Sequence, residues 1–193
     1  DEKWSSAIGL DSRVYASSQD LTYYTIGVRT ETVGAVAVPR TGQSDSYHEG
    51  DDGDIQAGRV WPDPRFTDNG NNTIRDNLTG LIWEQSPENA TTDWNGAFAR
   101  ISGLNSSQLG GRSDWRLPNK WELASLIHIG ETNTSTWLNS GPFSNILSSY
   151  YWSSTTNPHD PTAAWLVRMH DGYVADVFDK TTSQPTWGVC GPD

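Results

Sequence analysis

Trp115-Arg116-Leu117-Pro118-Asn119-Lys120-Trp121-Glu122-Leu123 is the stretch on which the reading of the fold turns. Pro118 fixes its own φ near the helical value and holds Leu117 extended, so the chain passes from an extended run into a helix within two residues. Asn119 is the N-cap of that helix, and Glu122, three residues on, completes a capping box. Gly130 is the predicted end. The expected buried face is Trp121, Ala124, Leu126 and Ile127, with Leu123 at its margin. Trp115 and Leu117 are expected in the core, and Arg116 is expected to pair with a carboxylate such as Glu122 or with loop carbonyls.

Upstream, a second helix is predicted behind Asp93 as N-cap, because Trp94, Ala97, Phe98, Ile101 and Leu104 recur at helical spacing. Before it, Phe66, the turn Asp68-Asn69-Gly70-Asn71-Asn72, Thr73-Ile74-Arg75 and Leu81-Ile82-Trp83 read as short antiparallel strands, since Asn-Gly supplies the positive φ that tight turns need. Downstream, Tyr150-Tyr151-Trp152-Ser153-Ser154-Thr155 reads as a central strand, and 164–169 pairs with 173–178 across Asp171-Gly172. Trp83, Trp152 and Trp165 are expected to be scaffold. The fold class is α+β, two helices among antiparallel strands. Residues 1–58 differ: Tyr23 to Val28 and Val33 to Val38 are β-prone, and an acidic, glycine-punctuated segment follows. They read as an N-terminal β-prone extension of a domain at 59–193.

Bulk composition narrows the partners. With 24 acidic and 13 basic side chains the net charge is −11, and the basic residues are scattered singly, so nucleic acid is not an expected partner. No apolar run approaches the roughly 18–20 residues that span a bilayer, so no membrane insertion is expected. The one cysteine, Cys190, permits no intrachain disulfide. Ten tryptophans and 18 glycines among many Ser, Thr, Asn and Asp describe packed, polar loops, the usual seat of binding.

Period-two alternation in 164–169 predicts Trp165, Val167 and Met169 inward and Leu166, Arg168 and His170 outward. Tyr173, Ala175, Asp176, Val177 and Phe178 continue that surface across the hairpin, and Asn157, His159, Asp160 and Thr162 continue it in the preceding loop. Trp187 and Cys190 complete the candidate ligand-binding set. Tyr173, Phe178 and Trp187 are its expected hot-spot aromatics. Oxygen-rich clusters at Asp68, Asn69, Asn71, Asn72 and Asp76 and at Asp51, Asp52 and Asp54 suit calcium chemistry, yet neither has the spacing of an EF-hand, and such residues are ordinary in turns. No cofactor or metal is expected; calcium is the one ion these turns would suit.

The motifs at 115–119, Glu122-Leu123 and 151–155, with Phe66-Thr67-Asp68-Asn69-Gly70, Asp76-Asn77-Leu78-Thr79-Gly80-Leu81-Ile82-Trp83 and the Asp171-Gly172 hairpin, resemble the Lcl C-terminal-domain-like family over about 59–191. The resemblance implies a C-type-lectin-like fold shared with formylglycine-generating enzymes. It also implies adhesin-like function on a cell surface or virion; one branch binds sulfated glycans. Modules of this fold also serve as variable proteins of diversity-generating retroelements, whose adenine-directed changes to Asn codons yield residues other than Trp, Lys, Glu, Gln and Met. The outward positions here obey that restriction.

Where many members end in a Val-Arg-x-Val-Arg-Gly type segment, this chain has Thr186-Trp187-Gly188-Val189-Cys190-Gly191, without either arginine, which argues against a sulfated ligand. Formylglycine chemistry needs two thiols, and this chain has one. The expectation is a non-enzymatic, extracellular recognition protein whose C-terminal surface meets a protein or glycan on another cell, with oligomeric state open. The alternative is an assembly module of a cell surface or virion without its own ligand.

Overall fold

The computed structural model describes residues 38–191, except the side chain of Val177. The chain divides into two units, Asp1–Val33 and Gly34–Asp193, and everything described belongs to the second. The β-prone run at 23–28, and all of the run at 33–38 but Val38, lie outside the described residues.

The fold is α+β, with four α-helices among antiparallel sheets in the described residues. In chain order the elements are α1 (Asp52–Ile55), β1 (Phe66–Asp68), β2 (Thr73–Asp76), β3 (Ile82–Glu84), β4 (Thr91–Thr92), α2 (Trp94–Ser106), α3 (Lys120–Ala124), α4 (Thr134–Ser140), β5 (Tyr150–Thr156), β6 (Ala163–Arg168), β7 (Val174–Asp179), β8 (Gln184–Pro185) and β9 (Val189–Cys190). They form sheets ordered β1-β2-β3-β9, β4-β8 and β5-β6-β7. This architecture is consistent with a C-type-lectin-like fold.

The expected turns and caps form. Gly70 and Asn72 take positive φ between β1 and β2, and the Asn69 N–H donates to the Thr73 carbonyl at 3.0 Å. The Asp93 side chain caps α2 by accepting from the Gly96 N–H at 2.7 Å. Asn119 accepts from the backbone of Trp121 and Glu122, while Glu122 accepts from the Asn119 N–H at 2.8 Å, so the capping box is complete. The stretch before α1 is tied down as well: Trp61 Nε1 donates to the Arg40 carbonyl at 2.8 Å and the Ile129 N–H to the Thr41 carbonyl at 3.0 Å.

Two hydrophobic clusters share four strands. Trp83, Val189, Tyr151 and Val167 belong to one cluster, with Leu123, Leu126, Leu138 and Trp187. Their chain neighbours Ile82, Cys190, Trp152 and Leu166 belong to the other, with Ala97, Ile101, Trp115 and Leu117. Successive side chains point to opposite faces of a strand. Strands β3, β9, β5 and β6 are therefore covered on both faces, one by the α2 side and one by the α3–α4 side.

That two-sided burial overturns part of the expected surface. Leu166, placed outward by alternation, is 0% exposed, and Ala175, its register partner, is 3% exposed. Alternation separates core from solvent only when one face of a sheet is wet. Register shifts between Ala164 and Leu166, and between Trp152 and Thr156, further disturb the simple count. Trp165, expected inward, is only half-buried.

Trp187 and Cys190 are also wrongly placed as surface residues: both are 0% exposed. Strand β9 completes the first sheet beside β3, pairing Ile82 with Cys190 and Trp83 with Val189. The Trp187 ring packs on Trp83, Phe143 and Tyr151 with centroids 5.2, 5.4 and 5.7 Å away, and its N–H donates to the Glu84 carbonyl at 2.7 Å.

Helix α3 departs from its expected length and face. It stops at Ala124, and Leu126 and Ile127 follow in tighter i→i+3 bonds to Leu123 and Ala124. The tighter winding brings Leu123, Leu126 and Ile127 to one side, so Leu123 is 0% exposed and Trp121 is 70% exposed, the reverse of the expected arrangement. Helix α4, not expected, follows Asn133, whose side chain accepts from the Thr136 N–H.

Candidate ligand-binding surface

The residues read from sequence as a single surface fall into three sets. Leu166, Ala175, Trp187 and Cys190 lie in the core. Asn157, 5% exposed, is a strut: its side chain donates to the Asp176 carbonyl at 3.2 Å and accepts from the His159 N–H at 3.0 Å. A buried amide with both ends engaged holds the loop in place and offers nothing to a ligand. The side chain of Val177 is outside the described residues. The remaining positions reach solvent in two places.

The first is the tip of the β6–β7 hairpin. Arg168 closes β6, and its guanidinium lies 5.3 Å from the Tyr150 ring centroid and 5.5 Å from that of Tyr173. Phe178 packs on Tyr150 at 5.0 Å, and Tyr150 meets Tyr173 edge-on at 6.4 Å. Arg168 donates from both Nε and Nη2 to the Asp171 carboxylate, the Nε bond being 2.8 Å. This pairing raises the Arg168 pKa and holds that of Asp171 below the ordinary carboxylate value. Tyr173 is 53% exposed, and His170 is exposed beside Asp171. The turn is sharp because Gly172 takes φ +77°, with Ile127 directly beneath it. Tyr173 is thus displayed at the turn beside Arg168, while Tyr150 and Phe178 pack against the second hydrophobic cluster and support them. Tyr150 was missed from sequence because its strand was read as scaffold.

The second place is the opposite end of β6. His159, Asp160 and Thr162 are exposed in the loop before it, with the Asp160 side chain accepting from the Thr162 N–H at 3.1 Å. Lys120, Trp121 and Trp165, which the sequence reading gave to the scaffold or left aside, gather into a further group. Lys120 Nζ lies 3.6 Å from the Trp165 ring centroid and 5.0 Å from that of Trp121. Burial lowers the Lys120 pKa, and Asp176 opposes the shift electrostatically. The signal was Asn119: a cap there places Lys120 and Trp121 in the first turn, and the apolar run Leu123, Leu126 and Ile127 faces the other way.

The oxygen-rich turns are occupied by the fold itself. The Asp51 carboxylate accepts from the backbone N–H groups of Tyr47, His48 and Asp54, which lowers its pKa. Asp76 is fully buried and forked by Arg65 at 2.8 and 3.1 Å, while also accepting from Leu78 N and Thr79 Oγ1. Asp68 accepts from Gly70 N and Gln85 Nε2. Among the described residues, no group of three or more His, Cys, Asp or Glu side chains converges as a metal site.

Comparison with curated proteins gives no significant match. A family model, the Lcl C-terminal domain, matches residues 72–190, which is more than half of the chain and includes both exposed places.

Proposed function

From the premise that this chain belongs to the Lcl C-terminal domain family, we propose that it is a non-catalytic recognition protein of C-type-lectin-like fold, exposed outside the cell or on a virion. It meets a protein or glycan on another cell through the β6–β7 hairpin tip. The observation that carries this reading is the Tyr150–Arg168–Tyr173–Phe178 cluster, in which Tyr173 is 53% exposed at the solvent edge. Tyrosine and arginine are the residues that most often dominate binding energy, and the pair with Asp171 holds Arg168 in one pose before any ligand arrives. No catalytic role is assigned: the lone thiol, on Cys190, is 0% exposed, and a nucleophile must reach its substrate.

Labelled protein applied to a panel of bacterial and animal cells tests the reading. Saturable binding that falls at least tenfold in Arg168→Ala and Tyr173→Ala is the expected result. Binding to no cell, or binding indifferent to both changes, overturns it and leaves an assembly module.

We further propose that the surface is diversified by a retroelement. The buried positions limit where change is tolerable. Reads of the encoding region from many related isolates should show substitutions confined to adenine positions in codons for His159, Asp160, Thr162, Arg168, His170, Tyr173, Asp176 and Phe178. Leu166, Ala175, Trp187 and Cys190 should stay constant. A region without adenine bias, or with changes spread equally over the buried codons, sinks this part of the proposal.

A further inference from the structure

Residues 40–61 form a strap that is bonded largely to itself. The Arg40 N–H donates to the Arg59 carbonyl at 3.1 Å, Arg40 Nη1 donates to Gln56 at 3.2 Å, and the Asp51 carboxylate gathers the backbone of its own loop. Among the described residues, two hydrogen bonds cross to the rest: the Ile129 N–H to the Thr41 carbonyl at 3.0 Å and Arg59 Nη1 to the Leu78 carbonyl at 3.3 Å. What seats the strap is a stack of rings. Trp61 meets His128 edge-on with centroids 4.9 Å apart, His128 meets Trp137 of α4 edge-on at 4.7 Å, and Trp61 lies 5.8 Å from Trp137. The Arg65 guanidinium covers the Trp61 ring at 4.3 Å.

Within that stack one edge of the imidazole is sealed. His128 Nδ1 is buried without a hydrogen-bond partner among the described residues. Gly42, at φ +91°, lies so close that an added Cβ would stand 2.7 Å from both Nδ1 and Cε1. A neutral ring tolerates this place, because with its proton on Nε2 it presents Nδ1 as a bare lone pair. A second proton turns Nδ1 into a charged donor with no acceptor, and Gly42 blocks the approach of water. Burial accordingly holds the His128 pKa below its ordinary 6.5; Glu131 works against that shift and Arg65 adds to it. Of the other charged groups on the packed pieces, Arg40 is engaged with Gln56 and Asp52 with Thr41, and α4 carries none.

We infer that His128 is an acid-sensitive latch: protonation of its imidazole unseats residues 40–61 and uncovers the aromatic face of Trp61 and Trp137. The inference uses neither exposed place of the recognition reading and stands without it. With the strap released, the imidazole regains water and its ordinary affinity for protons, so the released state binds more of them. Seating is therefore complete above pH 6.5 and is lost as the pH falls below it. Asp51, which orders the strap's own loop, is held below 3.8 and stays ionised through the start of that fall, so the loop keeps its shape as it leaves.

Hydrogen exchange of the full chain, read by mass spectrometry at about pH 7.5 and about pH 5 and normalised to the unfolded chain at each pH, tests the latch. Protection of peptides covering 40–61 and 128–131 is expected to fall at least tenfold at the lower pH, while those of β5 and β6 hold. His128→Phe keeps a ring against Trp61 and Trp137 but takes no proton, and is expected to abolish the fall. Because that change alters a packed position, the exposed Glu131→Gln serves as the second variant. It removes the carboxylate that favours a charged imidazole, so the midpoint of release should move to lower pH. Strap protection that is the same at both pH values overturns the inference. So does a fall that persists in folded His128→Phe, a midpoint unmoved in Glu131→Gln, or a loss shared equally by β5 and β6, which marks opening of the whole domain.

Discussion

At the scale of single residues, the most demanding positions serve geometry. Gly172 takes φ +77°, and a Cβ added there would stand 2.8 Å from Ile127 Cγ2, so Gly172→Ala combines backbone strain with a clash. A loss of about 1–3 kcal/mol is expected, read as a lowered midpoint in urea unfolding with an unchanged slope. Tyr151 carries a pH signature. It is 1% exposed, its hydroxyl accepts from the Leu147 N–H, and burial pushes its pKa from 10 to about 12. Between those values the unfolded chain releases this proton while the native state keeps it, so stability falls as pH rises from 10 towards 12. The loss amounts to about 2–3 kcal/mol. Tyr151→Phe should remove that alkaline loss in melts recorded at pH 9 and pH 11.5, at the cost of its hydrogen bond at neutral pH.

At the scale of elements, local chemistry was legible and facing was not. The caps at Asp93 and Asn119 and the Asn-Gly and Asp-Gly turns were readable from residue type and spacing, because each is settled within a few residues; of the partners open to Arg116, Glu122 is taken, at 2.7 and 2.6 Å. The face presented by β6 is settled by what lies across it. Both clusters claim its side chains, so Leu166 and Val167 are equally buried. The tip residues Arg168, His170 and Tyr173 were legible because a turn is exposed whatever covers the sheet. Trp187 and Cys190 were not, since their pairing partners lie more than a hundred residues earlier. Helix α4 escaped notice because Thr134, Ser135 and Thr136 are weak helix formers, and its cap and packing must compensate. For α3, Asn119→Ala should cost about 1 kcal/mol and should also loosen Lys120 and Trp121, visible as weaker near-ultraviolet circular dichroism from the indoles.

Taken as a whole, the molecule separates what must stay from what faces out. The first sheet is locked to the α3 side by a buried fork, Arg65 on Asp76, with Arg65 also donating to the Ser125 carbonyl at 2.8 Å. Removing one partner strands the other charge, so Asp76→Ala should cost about 3–5 kcal/mol, observed as a large fall in melting temperature without altered binding by any protein that remains folded. Tyr173 and Trp121, 53% and 70% exposed, belong to neither cluster. The placement of β9 adds a consequence for how such a gene can mutate. Trp187 and Val189 close the core only if translation is still in phase after the hairpin codons. An insertion or deletion of one nucleotide there replaces the keystone strand with unrelated residues, and the product unravels. If the hairpin is diversified as proposed, β9 therefore acts as a reading-frame check: a substitution in the hairpin leaves Trp187 and Val189 in place, and a frameshift removes them from both the first sheet and the core.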